Sequence, residues 1–128
     1  MITFDAMNTL FKVRYPIGKS YCNVAQQILH IDFSQDQQAL VTKNFLKMYK
    51  YYDLKYPNFG YNEMSSQMFW HNIVCDSFAN SGVVFSDGDI KTITDSLFDK
   101  FKQANSYFVF PDVFTTLTKL KNKGLHLG

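Results

Sequence analysis

Residues 1–13, MITFDAMNTLFKV, decide how the rest of the chain is interpreted. A short apolar, β-prone segment at residues 2–4 leads directly into a single carboxylate, Asp5, which is followed by the turn-forming pair Asn8 and Thr9. An acidic residue that follows a strand is, by itself, an ordinary turn residue. A chemical role for Asp5 therefore has to be argued from the remainder of the sequence.

The composition indicates a folded chain whose charge is close to balanced. Hydrophobic residues make up 46% of the 128 residues, which is enough apolar surface for a core and argues against disorder. The net charge of +2 gives no electrostatic reason to expect nucleic acid or an anionic membrane as a partner. The oligomeric state is left open.

Targeting signals and cysteine usage favour an intracellular protein. The N-terminus has no basic segment followed by an apolar one, and no apolar run approaches the roughly 20 residues that a membrane span needs. Cys22 and Cys75 are far apart in sequence, as expected for two reduced thiols. We expect a cytoplasmic protein, with the nucleus as the alternative.

Helix start and stop signals divide the middle of the chain into helices. Ser34 and Gln37 fit a capping box, and Pro57 and Gly60 interrupt the helical pattern within YPNFGYNE. The predicted helices run over residues 17–29, from Ser34 to the break at 56–63, from Glu63 (capped by Asn62) to Gly82, from Ser86 to Phe101, and from Pro111 to Gly124.

Apolar residues recur at helical spacing along each of these segments. They predict one buried stripe per helix and a shared core for the first four. The residues predicted to face inward include Tyr21, Val24, Ala25, Leu40, Val41, Phe45, Met68, Phe69, Ile73, Phe78, Ile93, Leu97 and Val113.

The order of elements predicts an α/β fold that is mostly helical. Short links allow the four central helices to pack as an antiparallel bundle. Residues 2–4 and the final LHLG form two strands that, with the last helix, make a β…α-β unit with parallel strands, and SYFVF adds a brief extended piece. We expect residues 1–14 and 107–128 to form one domain and residues 15–106 a helical domain inserted into it.

This arrangement, with TFDAMNTL at the end of the first strand, resembles the haloacid dehalogenase-like hydrolase superfamily, whose first motif reads D-x-D-x-T. Asp5 matches the first Asp, Thr9 matches the Thr, and the helical insert looks like a C1-type cap on a Rossmann-like core. Longer stretches resemble the haloacid dehalogenase-like hydrolase domain-containing protein 3 family. These stretches are DAMNTLFKVRYPIGKSY, YPNFG, MFWHNIV and FPDVFTTLTKLKNKGLHLG.

The resemblance implies a specific chemistry at Asp5. The first Asp of the motif is the nucleophile, which attacks a phosphoryl group and forms an aspartyl phosphate. The resemblance also implies Mg²⁺, bound by the Asp5 carboxylate and by the backbone carbonyl of Met7. It implies a small-molecule substrate, whose identity stays open, with Asn8, Thr9 and Arg14 as the candidate substrate-binding residues.

The chain departs from the superfamily pattern in two ways. Met7 stands where phosphatases usually place a second Asp as general acid, although dehalogenases also lack that acid. The sequence ends before the second motif, which brings a Ser or Thr, and before the later Lys and acidic metal ligands. We therefore expect an N-terminal part of a hydrolase that does not bind Mg²⁺ tightly and is inactive alone. The alternatives are a pseudoenzyme or interaction module that uses the helical cap, and a free-standing helical bundle.

Two sets of side chains allow both a functional and an ordinary interpretation. Lys12 and Arg14 would either meet an anionic substrate or solvate a loop. An aromatic set would either line a substrate pocket or pack in the core, and helical spacing favours the core. That set comprises Tyr49, Tyr51, Tyr52, Tyr56, Phe69 and Trp70.

The remaining histidines and lysines carry weaker signals. His30, His71 and His126 have no ligand-like spacing, so no zinc site is expected. A lysine cluster at the end of the last predicted helix is typical of the complement to a helix dipole, with a phosphate-binding patch as the alternative. It consists of Lys119, Lys121 and Lys123.

Overall fold

A computed structural model describes all 128 residues as six α-helices, one 3₁₀ turn and two short strands. The chain divides into two compact units. The terminal unit combines Met1–Arg14 with Gln103–Gly128, and the helical unit is Tyr15–Lys102. In chain order the elements are β1 (Phe11–Val13), α1 (Ile17–Leu29), α2 (Gln35–Lys55), α3 (Pro57–Gly60), α4 (Ser66–Ala79), α5 (Asp87–Phe101), the 3₁₀ turn Ala104–Ser106, β2 (Tyr107–Val109) and α6 (Val113–Asn122).

Serine side chains cap the beginning of α2, α4 and α5. The predicted capping box at α2 is confirmed, because the Gln37 N–H donates to Ser34 Oγ and the Ser34 N–H donates to Gln37 Oε1. The predicted start of the third long helix at Glu63 is wrong. Ser65 caps α4 by accepting the Met68 N–H at 3.1 Å, so the serine hydroxyl defines the first turn and Asn62 lies in the preceding turn.

The predicted break within YPNFG is confirmed. α3 is a single distorted turn, in which Asn58 and Phe59 have φ values of 53° and 58° and Gly60 has a φ of 73°. Left-handed backbone is unfavourable for a side chain as large as that of Phe59. Its ring packs against Phe69 and Trp70, at centroid distances of 5.8 and 6.0 Å, which helps to hold this turn in place.

The four long helices of the helical unit pack in a ring around one core. α1 contacts α2 and α5, and α4 contacts α2 and α5. Tyr21 lies at the centre and touches Phe45, Phe78 and Phe101 at centroid distances of 5.7, 6.1 and 6.4 Å. The buried core consists of Tyr21, Cys22, Val24, Ala25, Val41, Val74, Phe78, Ile93 and Leu97.

Two residues predicted to face the core lie on the surface. Leu40 is 41% exposed and Met68 is 50% exposed. Leu40 precedes the buried Val41 by one position, which turns it about 100° away from the core. Met68 likewise precedes the fully buried Phe69, so in both pairs the helix can bury only one of the two adjacent apolar side chains.

α1 and α2 approach each other closely at Gly18. The Gly18 N–H donates to Thr42 Oγ1 at 2.9 Å, and the same hydroxyl donates to the Gln38 carbonyl at 3.0 Å. A Cβ on residue 18 would collide with the Gln38 carbonyl oxygen and lie 2.5 Å from Thr42 Oγ1. Only glycine therefore permits this helix spacing.

The two-stranded sheet of the terminal unit is antiparallel, with Phe11 opposite Val109 and Val13 opposite Tyr107. The sequence instead predicted parallel strands at residues 2–4 and in the final LHLG. Between these segments the structure has an isolated parallel bridge from Ile2 to Leu127, in which the Ile2 N–H donates to the His126 carbonyl at 2.8 Å, and a second isolated parallel bridge joins Met7 to Phe11. The β-prone FKV segment forms a strand because Tyr107–Val109 supplies its partner.

α6 begins two residues later than predicted, because Pro111 and Asp112 form a turn and Asp112 makes no side-chain cap. Its predicted end at Gly124 is confirmed. With a φ of 77°, Gly124 donates to the Lys121 carbonyl and Leu125 donates to the Leu120 carbonyl, which is a Schellman motif. No helix of the structure combines the length and apolar character required to cross a bilayer.

Replacing Gly18 by Ala is expected to reduce the free energy of unfolding by about 1–3 kcal/mol, because overpacking forces α1 and α2 apart. Urea melts of the two proteins measure this loss. Gly88→Ala is the matched control, since a Cβ there meets nothing within 4 Å and should leave stability unchanged or slightly higher. Equal stability of Gly18→Ala and wild type would contradict the close approach.

The buried Cys22 thiol should make stability depend on alkaline pH. Burial raises its pKa from about 9 to about 11, so above about pH 9 the unfolded chain loses a proton that the folded chain keeps. The free energy of unfolding should therefore decrease between pH 9 and 11. Melts of Cys22→Ala, which lacks this proton, should show a smaller decrease over that interval; an equal decrease would assign the effect to other groups.

Candidate active site around Asp5

Asp5 lies on the surface immediately after the segment that pairs with the end of the chain. The Phe4 N–H donates to the Gly128 carbonyl at 3.2 Å, and the Gly128 N–H donates to the Ile2 carbonyl at 2.9 Å. The backbone on the N-terminal side of Asp5 is thus held by hydrogen bonds while the carboxylate faces solvent. This is a suitable position for a group that has to meet a substrate.

A tight turn follows Asp5 and leads into β1. The carbonyl of Ala6 accepts the N–H groups of Leu10 at 2.9 Å and of Phe11 at 3.2 Å, so residues 6–11 form a hydrogen-bonded turn. Asn8 has a φ of 62°, a conformation that asparagine tolerates better than most residues, and its N–H donates to the Phe11 carbonyl at 2.7 Å. The turn therefore fixes the positions of residues 5–9 relative to β1.

The turn brings two of the predicted site residues into contact. Thr9 Oγ1 donates a hydrogen bond to Asp5 Oδ2 at 3.2 Å. The bond orients the carboxylate and leaves Oδ1 available to a substrate. Asn8 shapes this turn through its backbone, and its role in substrate binding remains a prediction.

The oxygen atoms near Asp5 suit a hard cation only in part. The Asp5 carboxylate and the Met7 carbonyl are the kind of donors that Mg²⁺ prefers, and Mg²⁺ often binds to one or two carboxylates together with substrate phosphate and water. No group of three or more His, Cys, Asp or Glu side chains is placed to hold a metal. The Met7 side chain is 42% exposed and has no proton to donate.

The Arg14 side chain donates hydrogen bonds to two backbone carbonyls of the terminal unit. Its Nε donates to the Asn105 carbonyl at 2.9 Å and its Nη2 donates to the Tyr107 carbonyl at 3.0 Å. Its own N–H donates to the Ser106 carbonyl at 2.9 Å. The guanidinium therefore ties the end of β1 to the start of β2, and substrate binding by Arg14 remains a prediction.

Lys12 lies on β1, and its ammonium lies near aromatic rings. Its ammonium is 5.7 Å from the centre of the Phe108 ring and 5.9 Å from that of Phe110. These cation–π contacts hold the side chain against β2 and the residue that follows it. The sequence singled out Lys12 but not its two aromatic partners, because cross-strand pairing is visible only once the register is known.

The aromatic set of the helical unit packs largely against itself. Trp70 stacks on Tyr49 at 5.8 Å and meets Phe69 edge-on at 5.6 Å. The Tyr52 hydroxyl donates to Asp76 Oδ2 at 2.7 Å, and desolvation together with this bond raises the pKa of Tyr52. These contacts are those of a structural cluster that joins α2 to α4.

A polar chain that the sequence reading missed connects α4 to α5. Thr94 Oγ1 donates to the Lys91 carbonyl at 2.9 Å and lies 2.9 Å from His71 Nδ1, so Nδ1 is the protonated ring nitrogen. His71 Nε2 then accepts from Cys75 Sγ at 3.4 Å. Burial is the main cause that raises the Cys75 pKa to about 11, so the thiol stays protonated. The i, i+4 spacing of His71 and Cys75, which places both on one face of α4, is the sequence feature that could have predicted their contact.

Comparison with known proteins finds similarity along the whole chain. It is 28% identical over 129 residues to the haloacid dehalogenase-like hydrolase domain-containing protein 3 of Xenopus tropicalis, covering 100% of this chain and 66% of that protein. It is 31% identical over 129 residues to the Danio rerio protein of the same name, covering 99% and 51%. The Homo sapiens protein of that name is 25% identical over 130 residues, covering 100% and 49%. No protein-family model matches the chain.

The similarity to these relatives covers every stretch on which the resemblance was based. The resemblance to the haloacid dehalogenase-like hydrolase superfamily, and within it to the domain-containing protein 3 family, is therefore confirmed by relatives that match the whole chain. It spans between about half and two thirds of the length of these three curated relatives.

The two interpretations of Arg14 predict different behaviour for Arg14→Lys, which keeps the charge but loses the planar fork. If the bonds to Asn105 and Tyr107 stabilise the sheet, amide hydrogen exchange across β1 and β2 should become about 10-fold faster, which corresponds to about 1.4 kcal/mol. Lys121→Met, an exposed change on α6, is the control. Unchanged exchange would show that the sheet does not need Arg14 and would favour its role in substrate binding.

Proposed function

We propose that the protein is a hydrolase in which Asp5 is the nucleophile and a small phosphate ester or haloacid is the substrate. The observation that carries the proposal is the hydrogen bond from Thr9 to Asp5 on a tight turn, in a chain that resembles this superfamily. One carboxylate oxygen is held by Thr9, and Asp5 is an exposed residue. That is the arrangement an oxyanion nucleophile requires.

In the phosphate reaction, Asp5 Oδ1 forms a bond to phosphorus as the bond from phosphorus to the leaving oxygen breaks. The leaving alkoxide takes a proton from water, because the Met7 thioether has none to give. Water then attacks phosphorus, releases inorganic phosphate and restores the Asp5 carboxylate. Thr9 keeps its bond to Oδ2 and so holds the orientation of Asp5 through both steps.

Met7 bears on the choice of substrate. General acid catalysis is worth roughly 10²–10⁴ in rate, so esters with poor leaving groups should react slowly. Esters with acidic leaving groups are hydrolysed without this assistance. A halide leaves without a proton, so the dehalogenase-type reaction, in which Asp5 Oδ1 attacks carbon, is equally compatible with Met7.

Mg²⁺ would be held by the Asp5 carboxylate and the Met7 carbonyl, together with oxygen atoms of the substrate. When bound, it would neutralise negative charge on the transferring group. These two donors leave most of the coordination shell to substrate and water, so binding to the 128-residue chain alone should be weak. We assign the helical unit the role of a cap that selects the substrate, following the resemblance.

Asp5→Asn should reduce turnover of an activated phosphate ester or a haloacid by at least about 10³-fold, because the amide is not a nucleophile.

Met7→Asp should increase phosphatase turnover by about 10²-fold by supplying the missing acid. Both variants are measured on the protein as the cell produces it, with Asp112→Asn as the control, since Asp112 makes no capping bond. A protein that shows no turnover and forms no fluoroberyllate adduct at Asp5 would be a pseudoenzyme.

A further inference from the structure

The outward face of α2 carries three lysines in one line. Lys43, Lys47 and Lys50 follow the spacing i, i+4 and i+7, which places them within about 60° of one another around the helix. All three are exposed, whereas Val41 on the opposite side of α2 is fully buried. They therefore form a continuous basic stripe about 10 Å long.

None of these three lysines is neutralised within the chain. The two ion pairs of the structure join Lys91 to Asp95 and Lys102 to Asp99. The next lysine of α2, Lys55, is also engaged, since it lies 5.6 and 5.1 Å from the rings of Tyr51 and Tyr56. The lysine stripe is thus the part of α2 with uncompensated positive charge.

Two leucines flank the stripe. Leu46 is 62% exposed and Leu54 is 75% exposed, which makes them two of the most exposed aliphatic side chains of the helical unit. Beside the free lysines, these leucines offer a partner a small apolar contact surrounded by positive charge. We call Lys43, Leu46, Lys47, Lys50 and Leu54 the α2 basic face.

We propose that the α2 basic face binds an acidic, amphipathic helix of another protein. Carboxylates spaced at i, i+4 and i+7 on such a helix repeat along its axis at the same intervals as the three lysines. Apolar residues beside those carboxylates would cover Leu46 and Leu54. The acidic helix would thus match the lysine stripe in charge and in spacing.

Two other occupants fit this face less well. A second copy of the chain would place lysine against lysine in a symmetric dimer, because an isologous interface uses the same patch twice. An anionic membrane would meet Asp36 and Asp53, which lie near the two ends of the stripe, and would have only two strongly exposed leucines to bury. An acidic helix that covers the stripe and Leu54 contacts three lysines and comes near Asp53 only at one end.

The test uses a labelled helical peptide of Ala, Leu and Glu of about 20 residues, with Glu at the i, i+4, i+7 spacing. We expect fluorescence anisotropy to give a dissociation constant of about 10–100 μM at low salt. The affinity should fall at least about 5-fold between roughly 50 and 200 mM salt, because exposed charges are screened. The same peptide with Gln in place of Glu should not bind.

Charge reversal of the stripe, Lys43→Glu with Lys47→Glu and Lys50→Glu, should abolish binding while the melting curve stays that of a folded protein. The matched control reverses the three lysines of α6 and its C-terminal turn and should keep the affinity; these are Lys119, Lys121 and Lys123. Equal loss in both variants, or no binding of the Glu peptide, would overturn the proposal. Binding to phosphatidylserine vesicles that depends on the stripe, with no binding to the peptide, would also overturn it in favour of a membrane.

Discussion

The contact between Tyr21 and Phe101 closes the helical unit, because it joins the first helix of that unit to its last long helix. Tyr21 lies near the start of α1 and Phe101 ends α5, and their ring centroids are 6.4 Å apart. The contact brings together the two points at which the chain enters and leaves the helical unit. Closing a loop of about 90 flexible residues would otherwise cost about 4 kcal/mol in chain entropy, before β1 could pair with β2.

The helical unit and the turn at Asp5 illustrate different sources of order. The helical unit has an aromatic core and a close helix contact at Gly18, so its geometry follows from packing density. The turn at Asp5 is exposed and has almost no core. Its shape depends on backbone hydrogen bonds to Ala6 and Phe11 and on the Thr9 hydroxyl, which is a favourable arrangement for a group that must contact a substrate.

Some cationic side chains of the structure are held by ion pairs or hydrogen bonds, whereas the lysines on the outward face of α2 are not. Lys91 and Lys102 are paired with aspartates on α5, and Arg14 is committed to two carbonyls. The α2 basic face keeps its charge free. The proposed partner site on the α2 basic face therefore shares no residue with the proposed active site at Asp5.

Local signals in the sequence determined much of the fold. The capping box at Ser34, the break at YPNFG and the end of α6 at Gly124 all follow from side chains or backbone conformations within a few residues, so they could be predicted correctly. The D-x-x-x-T spacing likewise singled out Asp5 and Thr9 before their contact was known.

Tertiary structure alone decided the features that depend on distant partners. The antiparallel pairing of β1 with β2, the bonds of Arg14 to Asn105 and Tyr107, and the position of Lys12 over Phe108 join residues more than 90 positions apart. Helical periodicity could not choose between Leu40 and Val41 for the core, because both fit an apolar stripe and only the packing of α2 against α1 and α4 decides which is buried. The spacing of apolar residues predicts the buried face of a single element. Strand register and side-chain burial also depend on the second element that packs against it.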